Sequence, residues 1–158
     1  MTADGLPHLT EFGEARMVDV GAKIVTAREA VATGRLVLST DAIAALRSGT
    51  VAKGDALGVA RVAGIMAAKR VPDLIPLCHQ VALSGVDVAL EVREADVVIT
   101  VTARTTDRTG VEMEALTGVA VAGLALHDMV KALDPAAVLT DIRLERKTGG
   151  KQGIWTRP

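Results

Sequence analysis

Three ionisable side chains stand on the longest predicted helix of the chain, residues 111–133, which is otherwise almost entirely apolar. Asp128 and Lys131 are three residues apart and are therefore neighbours on a helix surface. Glu114, fourteen positions before Asp128, projects from nearly the same face because a helix has about 3.6 residues per turn. Carboxylates and an amine in such a row can exchange protons with a bound molecule, and buried clusters are more often functional than exposed ones.

Each of these side chains also has a purely structural explanation. Glu112 and Glu114 lie in the first turn of the predicted helix, where the helix dipole favours negative charge. Asp128 and Lys131 could form a surface salt bridge of little energetic value. A functional row is favoured over these explanations if the helix is buried. The apolar sequence of the helix predicts that it is.

A second candidate is the pair Cys78 and His79, in the proline-containing loop DLIPLCHQ between a predicted helix and a predicted strand. Such loops commonly hold functional groups, so His79 is a candidate, with a structural histidine as the alternative. Cys78 is interpreted as a small buried hydrophobic residue. No metal site is predicted, because no His or Cys partner stands at ligand spacing, and no triad marks Cys78 as a nucleophile.

The lysines form a third group. Arginines outnumber lysines twelve to six, yet five lysines fall in motif-like segments. Lysine can lose its proton when it is desolvated, whereas arginine effectively cannot. The segment KTGGK resembles a phosphate-wrapping loop, although it lacks the spacing of a Walker motif. The pattern predicts a site for a polyanionic small molecule, with these lysines as candidates: Lys53, Lys69, Lys131, Lys147 and Lys151.

Composition excludes several classes of protein. The net charge of −1 provides no bulk positive charge for nucleic-acid binding. A single cysteine excludes a disulfide framework and a multi-cysteine zinc site. The polar N-terminus resembles no signal peptide, and charges are expected to interrupt every apolar stretch before about 18 residues. We therefore expect a cytoplasmic protein that binds neither nucleic acid nor a membrane.

Aromatic residues are nearly absent, with only Phe12 and Trp155, both near the termini. The core must therefore be built from Ala, Val, Leu, Ile and Met, many of which bury little area each. This favours further burial at an oligomer interface, as a hypothesis. The lack of rings also argues against recognition of single-stranded nucleic acid by base stacking.

The elements that must position these residues are strands and helices in alternation. Residues 39–41 offer a helix N-cap and Gly49 a C-cap, and a second helix over 53–70 is predicted to end at Val71-Pro72. One or two strands are predicted within 15–38, a hairpin of strands within 81–106, and a last strand over 137–147. The pattern is typical of an α+β sandwich with helices on one face of a mainly antiparallel sheet.

The domain organisation predicted from these patterns is simple. Residues 1–14 are interpreted as a flexible lead-in, residues 15–153 as a single α+β domain, and residues 154–158 as a tail. The loop over 148–153 is expected to be flexible because it is rich in glycine.

Four stretches in order resemble the cyclic pyranopterin monophosphate synthase family, the C proteins of molybdenum cofactor biosynthesis. They are ARMVDVGAK, KGDALGVARVAGIMAAKRVPDLIPLCH, TGVEMEALTGVAVAGLALHDMVKALD and IRLERKTGGKQG, and they cover most of residues 15–153. The strings DLIPLCH and GVEMEALT are the most specific. The chain departs from the family pattern at Gln80, His127 and Val130, where the family usually has proline, tyrosine and cysteine.

The resemblance implies a ferredoxin-like fold and a hexamer built as a trimer of dimers, with the active site at a subunit interface. It implies rearrangement of a cyclised dihydro-GTP into cyclic pyranopterin monophosphate with loss of diphosphate. It also implies no tightly bound cofactor, with Mg²⁺ only as a companion of the triphosphate or diphosphate.

The resemblance assigns roles to residues by motif position. The catalytic position matches Asp128, and Lys131 beside it suits a general acid–base pair. Triphosphate binding is expected at lysines, with Arg16 and Arg61 as weaker candidates. The remaining expected substrate-binding residues are Leu77, Cys78, His79, Glu112, Met113 and Glu114, and the expected triphosphate lysines are Lys53, Lys69, Lys147 and Lys151.

A non-catalytic nucleotide- or pterin-binding regulatory module of ferredoxin-like fold is the main alternative. It would explain the fold and the lysines, but it would not require Asp128 beside Lys131. A scaffold protein would explain only the alanine-rich helices. Product formation, as opposed to reversible binding, separates an enzyme from a regulatory module.

Overall fold

The computed structural model describes residues 8–158, which form a five-stranded antiparallel sheet and four helices. Residues 1–7, half of the predicted lead-in, lie outside the described residues. The elements in chain order are β1 (Thr26–Val37), α1 (Thr40–Ser48), α2 (Ala56–Ala68), α3 (Val71–Leu74), β2 (Leu83–Val92), β3 (Asp96–Asp107), α4 (Glu112–Val130), β4 (Val138–Thr148) and β5 (Trp155–Thr156).

The strands lie in the order β2-β3-β1-β4-β5, and every pair of neighbours is antiparallel. The long helices α2 and α4 pack on each other, with α4 against all four main strands and α2 against β2. This β-α-β-β-α-β connection is the ferredoxin-like arrangement. The predicted α+β class, the antiparallel sheet and the two long helices on one face are therefore confirmed.

Local signals account for both ends of α1 and for the start of α2. Ser39 caps α1, accepting a hydrogen bond from the N–H of Ala42, and Gly49 ends the helix with a left-handed φ of 68°. Asp55 accepts from the N–H of Gly58 at the start of α2. The prediction that Val71-Pro72 ends this helix is wrong in detail. The helix ends at Ala68, and Val71-Pro72 begins the short α3, because proline fits the first turn of a helix.

The packing of α2 against α4 depends on small residues, as their sequences indicate. A Cβ placed on Gly64 would lie 3.0 Å from the carbonyl oxygen of Gly118 and 3.1 Å from the Cβ of Ala122. Ala60 in α2 and Ala122 in α4 are fully buried. The two helix backbones therefore approach more closely than larger side chains would permit.

Within residues 8–158, α4 is the one helix long and apolar enough to cross a membrane by length and composition. The uncharged run of this helix, residues 115–127, lies between Glu114 and Asp128 and has 13 residues, so charges interrupt it before about 18 residues, as predicted. Its apolar side chains pack between α2 and the sheet, with Ala115, Val119 and Leu126 fully buried. It occupies the position of a core helix.

Two short segments beyond the four long strands contain regular hydrogen bonds. Residues 8–16 form a small hairpin, in which Leu9 pairs with Ala15 and the N–H of Arg16 donates to the carbonyl of His8. Near the C-terminus, Trp155 pairs with Lys147 as β5 adds to the edge of β4.

Replacing Gly64 with valine tests the close approach of α2 and α4. The new side chain would meet the backbone of Gly118, so we expect the free energy of unfolding to fall by about 1–3 kcal/mol. Urea denaturation measures the change. Ala44→Val, at an exposed position of α1, is the control and should cost well under about 1 kcal/mol. Equal losses in both variants would contradict the packing argument.

Candidate active site

A cavity of about 570 Å³ lies where the loop after α3 meets the N-terminus of α4 and the segment that precedes β1. The strand hairpin β2–β3 and helix α4 bring these distant parts of the sequence together. The six residues assigned to the substrate outside the lysines all line it: Leu77, Cys78, His79, Glu112, Met113 and Glu114.

His79 is fixed at the wall of this cavity by one of its two ring nitrogens. Its Nε2 lies 2.6 Å from the carbonyl oxygen of Val18, and the side chain is half-buried. The hydrogen bond orients the ring and leaves the other nitrogen available. The loop itself is held by the N–H of Cys78, which donates to the carbonyl of Ile75 at 3.0 Å.

Glu114 is the buried carboxyl group of the site, with only 4% of the residue exposed. Burial raises its pKa, and nearby Glu112 contributes to the rise, while a backbone hydrogen bond opposes it. Burial likewise raises the pKa of the Cys78 thiol, and Glu114 adds to this effect. The thiol is therefore held in its protonated form. The side chain is half-buried, so the interpretation of Cys78 as a buried residue is wrong.

Glu112 and Lys147 form a salt bridge at the same end of α4. The Lys147 Nζ lies 2.9 Å from Glu112 Oε1, and about a third of each side chain is exposed. The sequence assigned both residues to the substrate but did not show that they are partners, since 35 positions separate them. The bridge joins the end of β4 to the wall of the cavity.

A second cavity, of about 690 Å³, places Lys151 with Lys23 and Arg28. Gly149 and Gly150 form part of its wall with left-handed φ values of 90° and 72°. Lys23 lines both cavities, so the two are adjacent. Three cations around glycine backbone provide the kind of site that binds phosphate groups.

Sequence reasoning missed Lys23 and Arg28. Lys23 stands in the stretch ARMVDVGAK, whose resemblance to the family could have identified it. Arg28 donates to the carbonyls of Asp107 and Arg108, at 3.3 and 3.1 Å, and so also fixes the loop that leads into α4.

At the opposite end of α4, Asp128 is paired with two lysines. Its carboxylate lies 2.8 Å from Lys131 Nζ and 2.7 Å from Lys53 Nζ. Lys131, and after it Lys53, holds the pKa of Asp128 at about 2, well below its usual value. Lys53 also donates to the backbone carbonyl of Asp128 at 2.8 Å.

The expectation of one buried ionisable row is wrong. In the single chain 56% of the Asp128 side chain and 55% of the Lys131 side chain are exposed. Glu114, in contrast, is buried in the first turn of the helix. At about 1.5 Å of rise per residue, fourteen positions separate Glu114 from Asp128 by about 21 Å along the axis. The spacing of these residues predicts only the side of the helix from which they project. Their separation along the helix axis places Glu114 in one group and Asp128 with Lys131 in another.

The remaining candidate cations lie elsewhere. Lys69, at the C-cap of α2, is exposed and lines neither cavity. Arg61 donates to the carbonyl of Val88 on β2 at 3.1 Å. Arg16 lies exposed at the base of the N-terminal hairpin. Across residues 8–158, no three His, Cys, Asp or Glu side chains are grouped so as to hold a metal ion.

Comparison with known proteins identifies related sequences along nearly the whole chain. Residues 17–150 match the model of the MoaC family. A protein of a Nocardioides species is 63% identical over 156 residues, covering 97% of this chain and 96% of its own. One from Streptomyces coelicolor is 60% identical over 154 residues, covering 98% and 91%. One from Heliobacterium modesticaldum is 54% identical over 156 residues, covering 98% of each.

All three relatives bear the name cyclic pyranopterin monophosphate synthase. The matched residues include the walls of both cavities except His8, Lys151 and Gln152. The chain belongs to the MoaC family.

Proposed function

We propose that this chain is a lyase of molybdenum cofactor biosynthesis, a cyclic pyranopterin monophosphate synthase. It converts (8S)-3',8-cyclo-7,8-dihydroguanosine 5'-triphosphate to cyclic pyranopterin monophosphate with release of diphosphate. The activity is assigned to a single domain over residues 15–153. Relatives of this name at 54–63% identity support the proposal, and so does the single cavity that unites residues 77–79 with residues 112–114.

The first cavity suits the pterin end of the substrate. A guanine-derived ring presents an edge of hydrogen-bond donors and an acceptor, and a carboxyl group with nearby backbone groups can pair with it. Glu114 is the buried carboxyl, and Leu77, Cys78 and Met113 supply apolar wall and backbone. This division of the wall supports recognition of the ring here.

The second cavity suits the triphosphate. Lys23, Arg28 and Lys151 line it, and Lys147 forms a salt bridge with Glu112 in the wall of the adjacent first cavity. Charge-assisted hydrogen bonds from such groups bind phosphate oxygens strongly. We expect no tightly bound cofactor, and Mg²⁺ only as a companion of the triphosphate or the released diphosphate.

The Asp128 cluster suits proton transfer by lysine. A carboxyl whose pKa is about 2 stays ionised at neutral pH, so Asp128 cannot serve as the acid there. It can orient Lys131 and Lys53 instead, since its carboxylate accepts hydrogen bonds from both amines. The proposed pair is therefore a lysine that moves the proton and an aspartate that positions it.

The two halves of this site require a second copy of the chain. Glu114 and the Asp128 cluster lie at opposite ends of α4, about 21 Å apart along its axis. We propose a cytoplasmic homo-hexamer, a trimer of dimers, in which the cluster of one chain completes the cavity of another. The exposed apolar side chains of α2 support an interface on this helix: Val59, Val62 and Met66.

Incubation with the cyclised nucleotide tests the proposed reaction directly. Stoichiometric formation of the pterin product and diphosphate, followed by mass spectrometry, is the expected result. Recovery of bound but unchanged nucleotide would instead indicate the regulatory module.

Removing cations from the second cavity should weaken substrate binding. We expect Lys151→Ala to lose roughly 1.5–3 kcal/mol of binding free energy, because it removes one charge-assisted contact to phosphate. Titration calorimetry with a non-reactive analogue of the triphosphate measures this loss. Arg47→Ala, an exposed cation of α1, is the matched control. Equal affinity in the two variants would exclude Lys151 from the triphosphate site.

Asp128 and Lys131 should act as one unit in turnover. Asp128→Asn keeps the shape but removes the charge that positions the amine, and Lys131→Ala removes the amine. Each change should abolish most turnover per folded protein, and the double variant should be little worse than either. Glu91→Gln breaks another exposed ion pair, with Arg93, and serves as the control. Near-normal turnover by folded Asp128→Asn would reduce the pair to a surface salt bridge.

Mixing two inactive variants tests whether the site is shared between chains. Glu114→Gln damages the cavity, and Asp128→Asn damages the cluster at the other end of α4. A shared site is intact when its cavity comes from the Asp128→Asn chain and its cluster comes from the Glu114→Gln chain. In an equal mixture, about a quarter of the sites have this combination, so about a quarter of the activity should return. Light scattering should show roughly six times the 16.4 kDa of one chain. A 16.4 kDa particle, or no recovery after mixing, would contradict the shared site.

A further inference from the structure

The N-terminal hairpin of residues 8–16 forms part of the first cavity. Its strands are joined by the pair Leu9–Ala15 and by the N–H of Arg16, which donates to the His8 carbonyl at 2.9 Å. Its turn is closed by the N–H of Thr10, which donates to the carbonyl of Glu14 at 2.8 Å. These bonds hold the backbone of His8 at the base of the hairpin, and His8 lines the cavity.

Most other titratable groups of this cavity have a hydrogen-bond partner or a pKa that burial has shifted. His79 is bound to the Val18 carbonyl, and Glu112 to Lys147. Burial raises the pKa of both Glu114 and Cys78. The titratable groups that face His8 across the cavity are Lys23, Cys78, His79, Glu112 and Glu114.

His8 differs from these groups. Its imidazole is exposed and makes no hydrogen bond to any other residue in the part of the chain that the structure describes. An imidazole can act both as a general acid and as a general base. A free imidazole at the wall of a cavity that binds a nitrogen-rich ring is placed to exchange protons with that ring.

We propose that His8, positioned by the N-terminal hairpin, exchanges a proton with the ring of the substrate in the first cavity. The inference rests on the proposed function and adds a residue outside the segment that matches the family model. The ring rearrangement needs several proton transfers, and in the proposed assembly the Asp128 cluster comes to the cavity from another chain. His8 supplies a proton carrier that belongs to the cavity itself.

Steady-state kinetics of two His8 variants test this role. His8→Gln keeps a hydrogen-bonding group but cannot carry a proton, and His8→Ala removes the side chain. Both should lower kcat about 100-fold with little change in KM, because the lost interaction is proton transfer rather than binding. Free imidazole should restore part of the activity of His8→Ala and none of that of His8→Gln, where the cavity is filled. Glu11→Gln, on the exposed turn of the same hairpin, should behave as the unmodified chain.

The experiment distinguishes failure of the proposed function from failure of the role of His8. If the unmodified chain forms no pterin product, the proposed function fails, and the role of His8 fails with it. If the unmodified chain is active and the His8 variants match it, only the inference is overturned. A rise in KM alone, or a loss that imidazole does not rescue in His8→Ala, also overturns proton transfer by His8. Circular dichroism establishes that each variant is folded before its rate is compared.

Discussion

The close contact between α2 and α4 is the constraint on which the rest of the structure depends. Gly64, Gly118 and Ala122 leave room for little more than backbone between the helices. Since α4 is thereby enclosed between α2 and the sheet, its position and rotation are fixed. The carboxyl groups at its N-terminus and the charged cluster at its C-terminus take their places from this packing. Although the chain has few aromatic residues, its centre is rigid because the backbones of α2 and α4 pack closely together.

The same helix creates two different electrostatic environments. At its first turn, Glu114 is removed from water and its pKa rises. At its last turn, Asp128 stays in water between two lysines and its pKa falls. The pKa of one carboxyl group is therefore raised and that of the other is lowered, although both belong to one element. Chemistry that needs two carboxyl groups of different acidity can use both, provided that the two ends are brought together.

The fold was largely predictable because its signals are local. Alternating apolar residues marked β2 and β3, and Ser39 and Gly49 marked the ends of α1. The grouping of the site was only partly predictable. The resemblance to a family assigned both His79 and Glu114 to the substrate, and both line the first cavity. The contact of Lys53 with Asp128 joins positions 75 residues apart, and the exposure of Asp128 depends on where α4 leaves the protein interior. Neither this contact nor this exposure can be predicted from the periodicity of the sequence.

Lys23 lines both the first and the second cavity, so ligands of different length contact different numbers of cations. A molecule that fills both cavities contacts Lys23, Arg28 and Lys151, whereas one that fills only the first cavity contacts Lys23 alone of these three. In the proposed reaction, the released diphosphate takes with it most of the charge that these cations attract. After the diphosphate leaves, these cations therefore attract the remaining ring system less strongly. Under the proposed assignment of the two cavities, the substrate is therefore retained more firmly than the product.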